Sequence, residues 1–278
     1  MTVREALTIS ARTIEVPDAR VLMMHVLNTD AAGLVMKYPD ALSKEQKDAF
    51  FSAVKRKEAG EPTAYITGTR GFFGLDFIVT PDVLIPRAET EELVERALSF
   101  IPKDAPCRVL DLCTGSGCVG LAIAHERPAA RVTLCDVSQG AIETAKNNAR
   151  ALGLSAEFIL GDVRTLSLSQ RRFDVIVSNP PYIKDGYRDR LDREVKDFEP
   201  HLALFGGEDG LTFYRIIIRR FKDALSPGGV MLFESGDENG GAEICESIVK
   251  IFSDNGYKDA RANRDLSGNM RVICARRA

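Results

Sequence analysis

The chain has 278 residues, of which 45% are hydrophobic and 28% charged, and its formal net charge at pH 7 is −3. This length is typical of about two domains, and the hydrophobic share is enough for a packed core in each. The slightly acidic balance excludes a strong overall basic field, so no direct nucleic-acid binding is expected. No apolar run approaches the ~18 residues of a membrane helix, and residues 1–11 lack the apolar core after a basic start that a signal peptide has. We therefore expect a cytoplasmic protein without membrane contact.

The six cysteines and three histidines form no metal-binding pattern. There is no Cys-x-x-Cys pair, and most of the cysteines lie inside apolar runs, which is typical of buried, reduced thiols. We expect neither disulfides nor a bound metal.

Residues 1–70 are predicted to form a small N-terminal helical bundle. Apolar residues recur at three-to-four spacing over 6–14 and again over 19–27, as in amphipathic helices. Ser43 and Gln46 form a capping box for a further helix. We interpret the bundle as a partner-docking domain, with a purely structural appendage as the alternative.

Residues 71–86 alternate weakly between apolar and polar types, which predicts a hairpin linker between two domains. From residue 87 to 278 the pattern becomes helix, strand and helix in turn, and this alternation predicts an α/β domain with a doubly wound parallel sheet. Helices are predicted at 138–152 and 211–225, among others. Buried strands are predicted at 108–112, 131–135, 156–160, 173–178, 230–234 and 271–275.

The tetrapeptide Asn179-Pro180-Pro181-Tyr182 directly follows the strand-like run 173–178. It therefore lies at the carboxyl end of a strand, where open α/β sheets bind ligands. Because two prolines hold the backbone rigid, the Asn179 side-chain oxygen and the Pro180 carbonyl form a fixed pair of acceptors for a planar amino group. We predict a substrate site made of all four residues, with Asn179, Pro180 and Tyr182 as catalytic residues. Tyr182 packs its ring against a planar substrate amide or, alternatively, is buried for bulk.

A glycine-rich turn follows the strand predicted at 108–112. Residues 115–120 match Gly-x-Gly-x-x-Gly, the dinucleotide fingerprint, so a nicotinamide-dependent oxidoreductase is one interpretation. The acids Asp111, Asp136 and Asp162 at three strand ends instead favour a cationic, hydroxylated ligand such as S-adenosylmethionine, because Asp111 would repel a diphosphate.

In this second interpretation each acid has a part of the ligand to bind. Asp111 faces the cationic amino-acid tail, Asp136 accepts hydrogen bonds from the ribose hydroxyls, and Asp162 accepts one from the adenine amino group. Each acid is alternatively a helix N-cap or a solvated loop residue. The glycines let the backbone approach the methionyl part, and Val163 packs against the adenine ring. The predicted cofactor-binding residues are Asp111, Cys113, Thr114, Gly115, Ser116, Gly117, Asp136, Val137, Asp162, Val163 and Asn179.

Several blocks of the sequence resemble the HemK/PrmC family of protein-glutamine N5-methyltransferases, which are class I methyltransferases. Besides the glycine turn they are EPTAYITG at 61–68, FGL at 73–75, VLIPRAETE at 83–91, NPPY at 179–182, and parts of 199–215. The resemblance implies a helical bundle joined by a hairpin to a seven-stranded Rossmann-like sheet with a reversed last strand. It also implies S-adenosylmethionine as cofactor and, as substrate, the glutamine of the Gly-Gly-Gln motif in peptide chain release factors. Cys113 and Asn239 depart from the family pattern, which often has glycine and glutamine there.

Other functions share some of these motifs. An adenine N6-methyltransferase would present a similar amino group to the tetrapeptide, but it needs base flipping and a basic face. A ribosomal-protein glutamine methyltransferase and a non-catalytic binding module are further alternatives. The polar stretch 183–210 has no clear period and is interpreted as a lid or binding loop, with disorder as the alternative. Arg87, Glu89 and Thr90 are candidates for the pocket wall, although Arg87 is equally well explained by an ion pair.

Overall fold

The computed structural model describes residues 1–236, 241–264 and 268–278. Asn239 lies outside these described residues. Packing divides the chain into two compact units, one of residues 1–69 with 192–198 and the other of residues 70–191 with 199–278. In the described ranges no helix is both long and apolar enough to cross a membrane. All six cysteines are free thiols.

The N-terminal part of the first unit is helical. Its helices are Val3–Ser10 (α1), Val16–Leu27 (α2), Ala31–Met36 (α3), Lys44–Glu58 (α4) and Thr63–Thr67 (α5). A capping box between Ser43 and Gln46 begins α4, as predicted, because each side chain accepts the backbone N–H of the other residue. Leu22, Met23 and Phe50 are fully buried in the core of this unit.

A hairpin follows, made of strands Thr69–Phe72 (β1) and Leu75–Ile78 (β2). Its two-residue turn has Phe73 at φ 50° and Gly74 at φ 74°, the left-handed pair that a type I′ turn requires. Phe72 and Phe77 are buried in the core of the second unit. The hairpin is therefore anchored in that core rather than being a loose connection.

The second unit is built on a seven-stranded sheet. Its strands are Cys107–Leu112 (β3), Ala130–Asp136 (β4), Glu157–Leu160 (β5), Phe173–Ser178 (β6), Leu225–Glu234 (β7), Tyr257–Arg264 (β8) and Met270–Arg277 (β9). The strand order is β5-β4-β3-β6-β7-β9-β8. β9 runs antiparallel to both of its neighbours, while the pairs from β5 to β7 are parallel. The predicted α/β fold with a reversed last strand is confirmed.

Helices cover both faces of this sheet. The remaining helices are Glu91–Leu98 (α6), Cys118–Glu126 (α7), Gln139–Ala151 (α8), Arg193–Phe198 (α9), Thr212–Arg220 (α10) and Gly241–Asp254 (α11). Val175 and Val177 of β6 face a core shared with α6, α7 and α8, whereas Ile176 faces a core shared with α10 and α11. As predicted, α8 begins after the N-cap Ser138.

Two elements differ from the sequence predictions. β8 was not predicted, because it is an edge strand in which only Tyr257 is buried. The helix predicted over 211–225 ends at Arg220, since Leu225 already pairs with Phe173 as the first residue of β7. Apolar residues continue across that boundary, so the pattern did not mark it.

The polar stretch 183–210 contains short helical segments that its sequence pattern did not indicate. They are two 3-10 turns at Asp185–Arg190 and His201–Ala203, and α9 between them. α9 packs within the first unit, where Lys57 Nζ lies 2.5 Å from Glu194 Oε1 and 3.0 Å from Asp18 Oδ2. The action of this stretch as a lid stays a prediction.

Candidate active site

The sheet changes direction between β3 and β6. From β3 the chain proceeds through β4 to β5 at one edge, and β6 then begins on the opposite side of β3. Leu112 pairs with Ser178, whose Oγ donates a 2.7 Å hydrogen bond to the Leu112 carbonyl. The glycine turn and the Asn-Pro-Pro-Tyr tetrapeptide therefore leave the sheet side by side, at the switch point where open α/β sheets bind ligands.

A cleft opens at this switch point, within the second unit. The predicted site residues that line it are Asp111, Cys113, Thr114, Gly115, Ser116, Asp136, Val137, Asp162, Val163, Asn179 and Pro181. Three others do not belong to its described lining. Gly117 is the left-handed residue that begins α7, Pro180 is buried, and Tyr182 is half-buried and packs against the core that contains Tyr214.

Part of the cleft wall was not predicted. Residues 81–84 line it together with Leu202 and Phe213. The sequence pattern of these residues does not distinguish them from ordinary core or loop residues. Pro81 and Pro86 enclose a short apolar segment, which indicates only a fixed turn. Of the three pocket-wall candidates, Arg87 and Thr90 belong to the lining.

Asp111 lies buried beneath the glycine turn. Its Oδ2 accepts hydrogen bonds from Thr114 Oγ1 at 2.6 Å and from the Gly120 N–H at 3.0 Å. Burial raises the pKa of Asp111 to about 7, although both hydrogen bonds oppose that rise. Asp111 thus braces the turn between β3 and α7 from below, and its contact with a cationic ligand tail stays a prediction.

Asp136 ends β4 and holds the other side of the turn. Its two oxygens accept the Gly115 N–H and the Ser138 N–H, each at 2.9 Å. Burial raises the pKa of Asp136, while these backbone hydrogen bonds lower it. Gly115 has φ 55° and open space where a side chain would begin, so a ligand can approach its backbone closely. The N-cap of α8 is Ser138 rather than Asp136.

Asp162 follows β5 and also lines the cleft. Arg164 Nε donates to Asp162 Oδ2 at 2.8 Å and to Oδ1 at 3.0 Å, and this hydrogen bonding lowers the pKa of Asp162. A carboxylate has about four acceptor positions, so an adenine amino group would share Asp162 with Arg164.

Asn179 extends from the end of β6 into the cleft. Its Nδ2 lies 3.4 Å from Oγ1 of the buried Thr90 and donates to it. In the described part of the chain nothing donates to Asn179 Oδ1. The amide is therefore turned with its nitrogen toward the protein, and its oxygen is the end that can accept a hydrogen bond from a ligand.

An ion pair between half-buried Arg87 and buried Glu199 supports the rim of the cleft. Arg87 Nη2 lies 2.5 Å from Glu199 Oε1, and the Glu199 side chain is only 1% exposed. Glu199 Oε2 also accepts the Ile85 N–H at 3.4 Å. These contacts join the cleft-lining segments near 85 and 200, so both interpretations of Arg87, pocket wall and ion-pair residue, are correct.

The residues of the cleft suit a nucleoside with a cationic tail. Apolar side chains form one wall, among them Val83, Leu84, Val163 and Phe213. They offer an aromatic base the apolar lining that small-molecule sites use. The carboxylates follow successive strand ends, where amino and hydroxyl groups can donate to them.

Two family sequence models match the chain. One, described as "Methyltransferase small domain", matches residues 94–195, and the other, described as "PrmC N-terminal domain", matches residues 4–68. The release factor glutamine methyltransferase of Koribacter versatilis is 38% identical over 285 residues, which cover 100% of this chain and 99% of that protein. The enzyme of the same name from Coxiella burnetii is 41% identical over 94% of this chain and 91% of its own. The chain belongs to this family, the release factor glutamine methyltransferases.

Family membership confirms the predicted methyltransferase activity and S-adenosylmethionine as the cofactor. The nicotinamide oxidoreductase interpretation is therefore wrong. Among solved structures, a methyltransferase from Pyrococcus furiosus aligns with a TM-score of 0.53 and 17% identity, covering 74% of this chain and 90% of its own. At that identity the likeness supports the fold alone.

Asn148 fixes the glycine turn of this methyltransferase from behind. Its Nδ2 donates to the carbonyls of Ser116 and Ile78, both at 2.9 Å, and its Oδ1 accepts the Ile78 N–H at 2.6 Å. The side chain is fully buried. One amide thus joins the glycine turn to the hairpin.

We expect Asn148→Ala to weaken S-adenosylmethionine binding by roughly tenfold or more. The substitution leaves buried backbone groups unpaired, at about 1–3 kcal/mol each, so the turn can shift out of place. Calorimetric titration of the cofactor measures the change. The exposed neighbour Asn147, whose Oδ1 accepts a hydrogen bond from Arg150, provides the matched control Asn147→Ala. Equal affinities for both variants would contradict this role.

Proposed function

We propose that this chain transfers a methyl group from S-adenosylmethionine to the side-chain amide nitrogen, N5, of the glutamine in the Gly-Gly-Gln motif of peptide chain release factors. The names of its full-length relatives support the substrate. The observation that carries the proposal is the hydrogen bonding of Asn179, which lines the cleft beside the glycine turn. Its Nδ2 donates to Thr90, and in the described part of the chain nothing donates to its Oδ1.

The chemical difficulty is that a carboxamide nitrogen is a poor nucleophile, because its lone pair is delocalised into the carbonyl. When bound, S-adenosylmethionine supplies an electrophilic methyl group on a positively charged sulfur. Asn179 Oδ1 and the Pro180 carbonyl each accept one hydrogen of the substrate amide, which orients its nitrogen and stabilises the positive charge that develops there. Because these acceptors are neutral and fixed in advance, no side chain has to act as a base. The methylated nitrogen releases its extra proton to water.

The remaining tetrapeptide residues complete the substrate site. Asn179 and Pro181, on either side of Pro180, both line the cleft. The ring of Pro181 fixes its φ, so the Pro180 carbonyl has little freedom to turn. Tyr182 packs between the core and the substrate amide, a position in keeping with its half-buried state.

The substrate is a protein rather than a nucleic acid. The formal charge of −3 gives no general basic surface for a phosphate backbone. Residues 1–70 supply the docking domain for the release factor, 71–86 the hairpin, and 87–278 the methyltransferase domain. Since release factors act in translation, the enzyme works in the cytoplasm.

Mass spectrometry of a methylated release factor tests this function. The protein is incubated with S-adenosylmethionine and a release factor, and the release factor is digested and sequenced. We expect one added methyl group on the Gly-Gly-Gln glutamine and none when that glutamine is replaced by alanine. A methyl group found only on a ribosomal protein, or on adenine in DNA supplied in parallel, would contradict the proposed substrate.

A further inference from the structure

Gly206 packs directly against the catalytic tetrapeptide. A β-carbon at Gly206 would lie 2.6 Å from the Pro181 carbonyl oxygen, 2.8 Å from Tyr182 Cα and 2.9 Å from the Gly210 carbonyl oxygen. All three neighbours are backbone atoms, which cannot swing aside as the end of a side chain can. The backbone at position 206 therefore approaches the tetrapeptide more closely than any residue with a side chain allows.

Backbone hydrogen bonds hold Gly206 in this position. The Gly206 N–H donates to the Ile183 carbonyl at 2.8 Å, and the Ile183 N–H donates to the Leu204 carbonyl at 2.9 Å. On the other side, the Thr212 N–H donates to the Gly206 carbonyl at 3.1 Å. The segment that contains Gly206 thus pairs with the residue that follows the tetrapeptide, and α10 anchors it from behind.

The contact between Gly206 and the Pro181 carbonyl restricts ψ of Pro181, the one torsion between the Pro180 and Pro181 carbonyls that is free to rotate. With a planar peptide bond, only φ and ψ of Pro181 separate these two groups, and the proline ring already fixes φ. The ψ of Pro181 decides where the Pro181 carbonyl points, and that carbonyl lies against Gly206. When the Pro181 carbonyl is displaced, either ψ of Pro181 rotates or the corner moves as a whole and carries the Pro180 carbonyl with it.

We propose that Gly206 is a positioning residue for methyl transfer, which acts by clamping the Pro181–Tyr182 peptide so that the Pro180 carbonyl faces the substrate amide. This inference rests on the proposed function. Gly206 touches neither substrate nor cofactor, and it is not part of the cleft lining among the described residues. Its effect is on the step that uses the Pro180 carbonyl rather than on cofactor binding.

Gly206→Ala adds a single methyl group at the clamp. An ordinary β-carbon contact is about 3.4 Å or longer, so the Pro181 carbonyl at 2.6 Å has to move by about 0.8 Å. Displacements near 1 Å in an active site cost roughly 10²-fold in rate. We expect kcat to fall by about that factor, with the Kd for S-adenosylmethionine within about twofold of wild type, since the variant leaves the glycine turn untouched.

Gly186→Ala is the matched control. Gly186 lies in the same stretch, is exposed, and a β-carbon there would meet no atom within 4 Å. Its kcat and Kd should equal those of wild type. Active-site titration with the cofactor gives the folded fraction of each preparation, so kcat is expressed per folded molecule. The proposal is overturned if Gly206→Ala has the same kcat as Gly186→Ala. It is also overturned if a smaller folded fraction accounts for the whole loss of activity in Gly206→Ala.

Arg215→Ala tests the same clamp without adding an atom. Arg215 binds Asp209 at 2.5 Å and 3.1 Å, and Asp209 Oδ1 accepts the Leu211 N–H. The exposed pair steadies the turn that carries Gly210, and its removal is not expected to prevent folding. We expect kcat to fall by a few-fold, less than in Gly206→Ala, while the Kd for the cofactor stays unchanged. An unchanged kcat in Arg215→Ala overturns the proposal even if Gly206→Ala does not fold. A wild-type protein that methylates no glutamine would instead overturn the proposed function itself.

Discussion

Asn179→Ala is expected to lower kcat for glutamine methylation by roughly 10²–10³-fold, the range found when one fixed polar group is removed from a transition-state site. Asn179 lines the cleft and its Nδ2 donates to Thr90, so Oδ1 is the atom proposed to accept a hydrogen from the substrate amide. Without that oxygen, one hydrogen of the substrate amide loses its acceptor and the nitrogen is no longer oriented. Steady-state kinetics with a release factor substrate measures the loss.

Cofactor binding separates this role from a general disturbance of the cleft. The strand-end acids and the glycine turn of the cleft are untouched in Asn179→Ala, so we expect the Kd for S-adenosylmethionine to stay close to that of wild type. Asn147→Ala, which removes an exposed amide on α8, should leave both parameters unchanged. Wild-type turnover in Asn179→Ala would contradict the proposed role of the oxygen.

Asp111→Asn is expected to reduce the dependence of stability on pH. Burial raises the pKa of Asp111 from the ordinary 3.8 to about 7, so between these values the folded state holds a proton that the unfolded state has lost. The stabilisation linked to this proton is complete below about pH 4 and is lost as pH rises through about 7. A three-unit rise corresponds to about 4 kcal/mol as an upper value. Asparagine has no proton to lose and keeps one oxygen for Thr114 and Gly120.

Urea unfolding at about pH 5 and about pH 7 measures this effect. In the wild type, loss of the Asp111 proton should lower the free energy of unfolding between about pH 5 and about pH 7. In Asp111→Asn this part of the decrease should be absent. Asp136, whose pKa burial also raises, leaves part of the fall in the variant. Asp48→Asn changes an exposed carboxylate of α4 and should keep the wild-type difference. Equal differences in all three proteins would contradict the buried state of Asp111.

Much of the fold could be predicted because the central strands are buried on both faces. Runs such as 173–178 then have an apolar centre, Val175 to Val177, and the sequence pattern alone indicates them. β8 was not predicted for the opposite reason, since it is an edge strand in which only Tyr257 is buried. The end of α10 was missed because apolar residues continue into β7, and the segments in 183–210 because their packing depends on contacts distant in sequence, such as that of Lys57 with Glu194.

The candidate site, like the fold, could be predicted only in part from the sequence. The strand-end acids and Asn179 could be predicted because parallel strands bring their carboxyl ends to one edge of the sheet. The hydrogen bonds that these residues make within the protein could not be predicted. No spacing in the sequence shows that Asp111 accepts the Gly120 N–H or that Asp136 accepts the Gly115 N–H. Gly206 was visible only as part of a family block. Its importance arises from a backbone contact with Pro181.

A crystal structure with S-adenosylhomocysteine and a Gly-Gly-Gln peptide tests the central claim most directly. The claim is that a rigid corner after β6 offers two oxygens to the substrate amide. We predict that Asn179 Oδ1 and the Pro180 carbonyl oxygen each lie about 2.7–3.2 Å from the glutamine nitrogen. A complex in which the glutamine nitrogen contacts other groups, with the Pro180 carbonyl directed into the protein core, would contradict it.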